Sequence, residues 1–394
     1  MKAIEIAILG STGSIGNTTL EVIKKTKKFR VILLYANSNY KKILHQIKIF
    51  KPRVVVVNNY QIFLNIKKKI KSKKIIILNN INNIEKYIKK VDVSVSAIPG
   101  IAGLEPTLKF VKLSKKILLA NKESIICGWN LIKKMSIKYN TKLIPIDSEH
   151  FSISRLTHNH SNEEIEKIYI TASGGPFLKL DKKKFKYIKP KDAIKHPKWK
   201  MGKKISVDSA TLMNKVLELI EALKLFPFDF YKYEIIIHPQ SLVHAIVKFK
   251  NGTSSFLYHL PSMKIPISNA LFDNDIDYKE FFKDQEIKNF NKQNLEFFPV
   301  DKKKFPALNL IPKINNSKSA PIIINAINEI FVDEFLKNNI HFNDISTYLN
   351  IVFRDKNYIK TSNMPCNSIN NIYKIDSLSR DIAYKIIQQK KINK

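Results

Sequence analysis

Residues 3–25 read AIEIAILGSTGSIGNTTLEVIKK and contain the clearest structural pattern of the N-terminal part of the chain. The apolar run at 3–9 is typical of a buried strand, and the amphipathic run at 18–25 is typical of a helix. Three of the ten glycines of the chain lie between them, in the motif GSTGSIG at 10–16. Such glycines permit a tight turn and bring backbone N–H groups close to a pyrophosphate at the positive end of the helix. The stretch predicts a dinucleotide-binding unit; a glycine-rich helix start without a ligand is the alternative.

Further apolar runs, separated by helical patterns, continue this alternation to residue 146. They lie at 31–35, 54–57, 75–78, 91–97, 117–120 and 143–146. Near-continuous runs of β-branched residues are typical of parallel strands that helices cover on both faces. We therefore predict an α/β fold in which residues 1–147 form a Rossmann-like, doubly wound parallel sheet.

The character of the sequence changes after the last of these strands. Residues 148–275 mix strand and helix patterns with clustered His, Ser, Gly and Pro, which indicates an α+β domain. A Phe-, Asn- and Lys-rich stretch at 276–300 has no clear period and is predicted to be a linker. Residues 301–394 carry helical patterns at 320–338 and 377–389, so we expect a small C-terminal helical domain.

The chain is strongly basic, with 68 Lys and Arg against 33 Asp and Glu, a formal net charge of +35. Such a charge raises the question of nucleic-acid or membrane-surface binding. The lysines are scattered in short runs among many Ile and Asn, as A/T-rich coding would produce, so we expect a solvated surface and no nucleic-acid partner. No apolar stretch reaches about 20 residues, which argues against a membrane span. The two cysteines fit no metal or disulfide spacing, and Met1 leads directly into a strand, so a cytoplasmic protein is expected.

A cluster of polar side chains follows the strand at 143–146. Asp147 and Glu149 flank Ser148, and His150 comes next. In an extended segment the two carboxylates project to the same side. Paired carboxylates can hold a hard cation such as Mg²⁺ or Mn²⁺. A solvated Asp-x-Glu turn is the alternative.

A second polar segment, SVDSATLMNKVLE at 206–218, offers candidates for the same centre. Its candidate N-caps are Asp208, Ser209 and Thr211. A helix that begins there places Asn214 and Glu218 on one face, so that Glu218 could add a third carboxylate. Its candidate phosphate donors are Ser209, Asn214 and Lys215. An ordinary polar helix face is the alternative.

Two loops add candidate ligand-binding groups. In TASGGP at 171–176, the Ser173 hydroxyl stands beside paired glycines, a composition that suits a phosphate cradle. A plain β-turn would look the same. In HPKWKMG at 196–202, an imidazole and an indole precede Gly202, as in lids that close over a substrate. Packed loop residues are the alternative there.

The end of the second strand bears on the choice of cofactor. A NAD-preferring fold often places Asp or Glu at this point to bind the ribose 2′-hydroxyl. Here the residues are Asn37, Ser38 and Asn39, with Lys41 and Lys42 just beyond. Because this stretch holds no carboxylate, the sequence favours NADP over NAD.

Several ordered blocks of the sequence resemble the 1-deoxy-D-xylulose 5-phosphate reductoisomerase family along nearly the whole chain. They are GSTGSIG at 10–16, ANKES at 120–124, DSEH at 147–150, SGGPF at 173–177, HPKWKMGKKISVDSATLMNK at 196–215, HPQSLVH at 238–244 and NAINEI at 325–330. The resemblance implies a homodimer. It also implies an NADPH-binding domain at 1–147, a catalytic and dimerisation domain at 148–275, and a helical domain at 301–394.

The resemblance further implies roles for individual residues. The implied cofactor contacts are Thr12, Gly13, Ser14, Ile15, Asn37, Ser38, Asn39, Asn121, Glu123 and Gly202. The implied metal ligands are Asp147, Glu149 and Glu218. The implied substrate contacts are Lys122, Ser148, Glu149, Ser173, His196, Ser209, Asn214, Lys215 and Glu218. Lys122 and His196 are candidates for proton handling and complete the catalytic set with the metal ligands. Trp199 and Met201 match a mobile lid.

These likenesses imply an enzyme that uses NADPH and Mg²⁺, Mn²⁺ or Co²⁺. It would convert 1-deoxy-D-xylulose 5-phosphate to 2-C-methyl-D-erythritol 4-phosphate, in the non-mevalonate isoprenoid precursor pathway. The chain departs from the family at Asn37 and Ser38, where a Gly and a basic residue usually precede Asn39, which leaves the strength of the NADP preference open. The competing hypotheses are a simple NADP-dependent sugar-phosphate dehydrogenase and a basic nucleic-acid-binding protein with a vestigial cofactor domain.

Overall fold

A computed structural model describes residues 3–199, 201–277, 281, 294–315 and 317–392. The described chain divides into two compact units. Within the described residues, unit 1 comprises 3–125, 129–148, 263–277 and 281, and unit 2 comprises 126–128, 149–199, 201–262, 294–315 and 317–392. The finer division into three domains stays a prediction.

Unit 1 is built on a seven-stranded sheet. Its strands are β1 (Ile4–Leu9), β2 (Phe29–Ala36), β3 (Val54–Val57), β4 (Ile76–Leu78), β5 (Val91–Ser96), β6 (Ser114–Leu119) and β7 (Lys142–Pro145). They lie in the order β4-β3-β2-β1-β5-β6-β7, and each neighbouring pair is parallel. The strand order reverses direction at β1, which is the doubly wound arrangement. The predicted α/β fold is therefore confirmed.

Helices connect these strands and cover the faces of the sheet. They are α1 (Ser14–Lys24), α2 (Tyr40–Phe50), α3 (Tyr60–Lys69), α4 (Leu104–Lys112) and α5 (Lys122–Tyr139). Coverage on both faces explains the apolar strands, since all four valines of β3 are buried. Parallel strands end at the same edge of the sheet, so the loops at 10–13, 37–39, 120–121 and 146–147 leave from one edge.

Unit 2 contains a mixed five-stranded sheet. Its strands are β8 (Ile165–Ala172), β9 (Tyr233–Ile237), β10 (Val243–Phe249), β11 (Ser254–Tyr258) and β12 (Phe298–Pro299). In the order β11-β10-β8-β9-β12, only β8 and β9 are parallel neighbours in the described sheet. Strand β12 lies in the stretch predicted to be a linker. Residues 278–280 and 282–293 of that stretch lie outside the described residues.

More helices follow along the chain. They are α6 (Ser148–Leu156), α7 (Pro190–Ala193), α8 (Lys203–Thr211), α9 (Met213–Leu225), α10 (Lys264–Leu271), α11 (Ala320–Leu336), α12 (Phe342–Val352), α13 (Lys356–Ser362) and α14 (Ile369–Ile392). The last four confirm the helical patterns of the C-terminal part, with α11 packed between α12 and α14. In the part of the chain that is described, no helix has both the length and the apolar character to cross a bilayer.

The segment 263–277 corrects the predicted domain boundary, because it belongs to unit 1 and not with residues 148–262. Its helix α10 packs against α1 and buries Ile267 and Leu271 in the core of unit 1. Lys116 on β6 fixes its end: Nζ donates to a backbone carbonyl of α10 at 2.9 Å and pairs with Asp273 at 2.8 Å. Apolar periodicity shows that a helix buries one face, but not which neighbour covers that face.

Candidate active site

Two buried glutamates approach each other in unit 2. Glu149 lies in the first turn of α6, and Glu218 lies in α9. Their carboxylate oxygens come within 4.8 Å of each other. The Lys215 ammonium bridges them: Nζ donates to Oε2 of Glu218 at 2.5 Å and also to Oε1 of Glu149. Segments far apart in the sequence thus bring two carboxylates and one cation to the same place.

These charges are removed from water together, since Glu149 is 9%, Lys215 6% and Glu218 2% exposed. Burial by itself lowers the pKa of Lys215, but the charges and hydrogen bonds of the two glutamates outweigh burial and raise the pKa above its ordinary value. Removing one partner from a buried ion pair costs on the order of 3–5 kcal/mol, because the other charge is left uncompensated. The two carboxylates therefore need a cation beside them.

A buried histidine holds the helix that carries Glu218. His150 is fully buried on α6, and its Nε2 lies 2.9 Å from the backbone carbonyl oxygen of Glu218. Its Nδ1 lies 3.4 Å from Oε2 of Glu221, one turn further along α9. Asn214, one turn earlier, donates from Nδ2 to Oε1 of Glu218. His150 thereby joins helices α6 and α9 by polar contacts close to Glu149 and Glu218.

A second polar group surrounds the hydroxyl of Ser173, just after β8. Its Oγ accepts from the Gly175 N–H at 3.1 Å and lies 2.9 Å from Nε2 of His196. Nδ1 of His196 accepts from two backbone N–H groups of its own loop, at 3.2 and 2.9 Å, so in the neutral ring Nε2 carries the proton and donates to Ser173. Burial lowers the pKa of His196 to about 4, and the charge of Lys215 contributes, so the imidazole is neutral at pH 7.

The turn after Ser173 also approaches helix α8. Gly175 has a φ of +65°, and a Cβ there would lie 2.7 Å from the backbone oxygen of Ser209. Only glycine permits this close approach in that conformation. The two serines predicted to bind substrate are therefore carried by segments in direct backbone contact.

The predicted lid loop touches a buried pair of histidines. Trp199 contacts the ring of His244 edge-on, with centroids 5.9 Å apart, and His244 stacks on His259 at 4.0 Å. Burial lowers the pKa of both histidines, so this pair is neutral at pH 7. The indole thus packs against uncharged rings. Met201 follows it in the loop and is half-buried.

In unit 1, the glycine motif forms the turn between β1 and α1. The predicted cofactor contacts Thr12, Gly13, Ser14 and Ile15 lie at this turn, and Gly13 is the N-cap of α1. A Cβ at Gly10 would lie 2.4 Å from the oxygen of Ala97, and one at Gly16 would lie 2.4 Å from the oxygen of Gly10. Gln46 of α2 steadies the loop by donating to the carbonyl of Ser11 at 2.8 Å. The first N–H groups of α1 are thus presented at a turn that tolerates no larger residue at either glycine.

Other predicted cofactor contacts already have structural hydrogen bonds. Asn37, Ser38 and Asn39 connect β2 to α2. Asn39 is the N-cap of α2 and accepts from the Lys42 N–H at 3.1 Å. Asn121 is the N-cap of α5, accepts from the Ser124 N–H, and donates to the Gly100 carbonyl at 3.0 Å. Their assignment as cofactor contacts stays a prediction.

The remaining predicted residues lie at the ends of elements. Lys122 begins α5, and its Nζ lies 3.0 Å from Oδ2 of Asp147, which follows β7. Glu123 is buried in the first turn of α5, and Ser148 is buried at the start of α6. Gly202 is the N-cap of α8.

Two local predictions are wrong. The segment at 147–149 is not extended, because α6 begins at Ser148. Asp and Ser are favoured just before a helix and Glu in its first turn, so the same letters also encode a helix start. The candidate N-caps Asp208, Ser209 and Thr211 lie inside α8. Leu212, in the left-handed region with φ 60°, separates α8 from α9.

Comparison with known proteins identifies the family. The family model for 1-deoxy-D-xylulose 5-phosphate reductoisomerase matches residues 6–128, and two models of its C-terminal domains match 143–226 and 259–382. The 1-deoxy-D-xylulose 5-phosphate reductoisomerase of Pelagibacter ubique (strain HTCC1062) is 46% identical over 387 residues, covering 97% of this chain and 98% of that protein. The enzyme of that name from Wolbachia pipientis wMel is 39% identical over 392 residues, or 98% of each chain. This chain belongs to the 1-deoxy-D-xylulose 5-phosphate reductoisomerase family.

Solved structures of reductoisomerases share the fold. A crystal structure of DOX-P reductoisomerase in complex with NADPH, fosmidomycin and magnesium matches with a TM-score of 0.90 and 33% identity, over 98% of this chain and 99% of that one. The Zymomonas mobilis reductoisomerase in complex with NADPH matches with a TM-score of 0.87 and 31% identity, over the same shares. The N-terminal and C-terminal parts of the chain both follow the reductoisomerase fold.

Sequence reasoning missed several residues of this chain that support the predicted ones. Gln46 steadies the glycine loop, Glu221 faces His150, and His259 stacks on His244. Asn328 contacts Asp208 across 120 residues of sequence. Of these, only Asn328 lay in a recognised block, NAINEI, and the block carried no hint of its partner.

Proposed function

We propose that this chain converts 1-deoxy-D-xylulose 5-phosphate to 2-C-methyl-D-erythritol 4-phosphate with NADPH and a divalent cation. The reaction rearranges the carbon skeleton and reduces the aldehyde that results, in the non-mevalonate route to isoprenoid precursors. The observation that carries the proposal is the buried pair of Glu149 and Glu218 with a cationic Lys215 between them. Membership of the reductoisomerase family, and relatives solved with NADPH and magnesium, support it.

A divalent cation fits this donor set. Glu149 and Glu218 are carboxylates that already hold one buried positive charge. Asp147, two residues before Glu149 in the chain, would supply a third carboxylate. Carboxylate oxygens are the ligands that Mg²⁺ and Mn²⁺ prefer. When bound, the metal supplies Lewis-acid stabilisation of negative charge on substrate oxygens.

NADPH fits the start of α1. The turn accepts no Cβ at Gly10 or Gly16, so the chain can turn tightly and pack α1 closely at the end of β1, where the first N–H groups of α1 would meet a pyrophosphate. The helix dipole favours an anion at the same place. The residues that would contact the cofactor are Thr12, Gly13, Ser14, Ile15, Asn37, Ser38, Asn39, Asn121, Glu123 and Gly202.

The substrate phosphate would be held by the remaining polar groups of unit 2. Its proposed ligands are Ser173, Ser209, Asn214 and Lys215. Neutral His196 donates its Nε2 proton to Oγ of Ser173, so the serine hydroxyl keeps its own proton for the phosphate. Binding a group remote from the reacting carbons positions them and supplies binding energy to the reaction.

The groups nearest the reacting carbons would be Lys122, Ser148 and the carboxylates. Lys122 orients the carboxylate of Asp147 through their 3.0 Å contact and is a candidate for proton transfer, together with His196. Trp199 and Met201 would close over the substrate and exclude water, which strengthens every charge interaction beneath them.

We further propose a homodimer that acts in the cytoplasm, without nucleic-acid or membrane partners. The dimer rests on the resemblance to the family. The scattered lysines support a solvated surface in preference to a nucleic-acid site.

The test is to incubate the purified protein with 1-deoxy-D-xylulose 5-phosphate, NADPH and Mg²⁺ while following absorbance of the reduced nicotinamide. We expect oxidation of NADPH that a chelator abolishes, and a product with a branched carbon skeleton by NMR. An unbranched reduced product would favour a simple dehydrogenase. Tight, steeply salt-dependent binding to duplex DNA with no affinity for NADPH would favour the nucleic-acid hypothesis.

A further inference from the structure

Helix α8 carries a buried carboxylate that faces away from solvent. Asp208, next to the proposed phosphate ligand Ser209, is 1% exposed. One of its oxygens, Oδ2, lies 3.1 Å from Nζ of Lys204 on the same helix. The other, Oδ1, accepts a hydrogen bond of 2.8 Å from Nδ2 of Asn328 on α11, which is fully buried. Helix α11 thus makes a hydrogen bond to helix α8, which carries the proposed phosphate ligand Ser209.

A second contact of α8 is made by the turn at Gly175. The backbone oxygen of Ser209 and the Cα of Ala210 would lie 2.7 and 3.0 Å from a Cβ at this glycine. Helix α8 therefore contacts both the turn that follows Ser173 and the side chain of Asn328.

An ion pair beside Asn328 joins helix α11 to helix α14. Glu329, the next residue, accepts from Nη2 of Arg380 on α14. Arg380 also donates from Nε to Asp376 at 2.6 Å. The Asn328 side chain is thus attached to a pair of packed helices, α11 and α14, of which α11 also contacts α8.

We propose that Asn328 is a positioning residue for substrate binding, which rests on the proposed function. Through Asp208 it fixes α8 so that the Ser209 hydroxyl and the Ser173 hydroxyl together receive the substrate phosphate. The C-terminal helices therefore act on the substrate site through this buried amide-to-carboxylate hydrogen bond. Because Asn328→Ala loosens only the support of α8 and leaves Ser173, Ser209 and the charges of the acidic site in place, the loss should fall mainly on substrate affinity and much less on kcat.

The test compares Asn328→Ala with a matched control, Asn325→Ala. Asn325 is equally buried on α11, one turn earlier, and its amide donates to Glu329 at 3.3 Å, within the same helix. Without the amide donor α8 is held less firmly beside Ser173, so we expect the KM for 1-deoxy-D-xylulose 5-phosphate to rise about tenfold in Asn328→Ala, equivalent to about 1.4 kcal/mol. Its kcat and NADPH affinity should stay within about twofold of wild type. The control should keep the wild-type KM.

A reciprocal exchange separates positioning from general damage. Asp208→Asn combined with Asn328→Asp restores an amide donor opposite a carboxylate with the roles reversed, so most of the lost affinity should return. Hydrogen exchange of residues 203–211 should rise in Asn328→Ala and fall again in the exchanged pair. The inference is wrong if KM is unchanged in Asn328→Ala, if kcat, NADPH affinity and melting temperature fall together, or if the exchange restores nothing.

A binding assay keeps the two proposals distinguishable. If the wild-type protein does not turn over 1-deoxy-D-xylulose 5-phosphate, the proposed function fails. Asn328 is then judged by the affinity for inorganic phosphate from ³¹P NMR, with the same variants. A lower affinity in Asn328→Ala than in Asn325→Ala supports the positioning role, and equal affinities overturn it.

Discussion

The glycine loop of unit 1 and the acidic site of unit 2 are built by opposite means. The loop at 10–16 is contiguous, and backbone contacts leave no space for side chains at Gly10 and Gly16. The acidic site joins Glu149 to Lys215 across 66 residues, and buried charges hold it together. A contiguous site is visible as spacing in the sequence, whereas an assembled site depends on folding. The two sites should also fail differently, one in cofactor affinity and the other in chemistry.

The largest effect is expected from Glu149→Gln, which removes a charge without changing the shape of the side chain. A metal contributes several kcal/mol to the transition state, so losing one of its carboxylates should lower kcat at least a thousandfold. NADPH affinity, measured by fluorescence titration, should remain within about twofold, because the glycine loop is untouched. Glu163→Gln, the same change at an exposed glutamate, is the control and should behave as wild type. Undiminished metal-dependent turnover in Glu149→Gln would refute the acidic site.

A converse effect is expected from Gly16→Ala in the glycine loop. The new Cβ would lie 2.4 Å from the Gly10 oxygen and 2.6 Å from the Ser11 Cα, so the backbone must move. We expect NADPH to bind at least about tenfold more weakly, equivalent to about 1.4 kcal/mol. Mn²⁺ affinity, measured by EPR, should be unchanged. Thr18→Ala on the same helix, which removes a hydroxyl bonded to the Ser14 carbonyl, is the control. A parallel loss of Mn²⁺ affinity would show that the two sites are not independent.

The sequence predicted the strands of unit 1 well because burial and local pattern coincide there. β3 was predicted to the residue, since a run of four valines has few alternatives to a buried strand. The break between α8 and α9 could not be predicted. It depends on Leu212 in the left-handed region, which non-glycine residues rarely adopt. Residue spacing predicts only contacts between residues that are close in sequence. The contact of Asp208 with Asn328 and the packing of 263–277 in unit 1 could therefore not be predicted from it.

The acidic site could be predicted in part for a similar reason. The carboxylates of Glu149 and Glu218 were suggested by residue type and by a helical period. The contact of Lys215 with both carboxylates was not predicted, because a lysine and a glutamate that are close in sequence usually form a solvated surface pair. Because Glu149 and Glu218 are buried, their negative charges need a cation beside them.

An intermediate effect is expected from pH, through His196. Its pKa of about 4 lies below the ordinary value of 6.5, so the unfolded chain binds this proton more readily than the folded one. The stability that the neutral ring contributes is fully present above pH 6.5 and is lost as pH falls from 6.5 toward 4. A ¹³C-labelled histidine titration should show His196 still neutral at pH 5.5. A midpoint near 6.5 for His196 would contradict the Ser173 geometry proposed for phosphate binding.

The smallest effect is expected at the far end of the cofactor site, from Ser38→Arg. Ser38 is exposed between β2 and α2, and the neighbouring Asn39 is occupied as the helix N-cap. A guanidinium there could pair with the 2′-phosphate of NADPH, an exposed charge-assisted contact worth about 1 kcal/mol or less. NADPH should bind several-fold more tightly at low salt and NADH equally well, while Ser38→Gln, nearly as long but uncharged, should change neither. If Ser38→Arg raises the affinity for NADH as much as the affinity for NADPH, the loop at 37–39 does not contact the ribose 2′-phosphate. Discrimination between the two cofactors must then come from other residues, and Lys41 and Lys42 at the start of α2 would be substituted next.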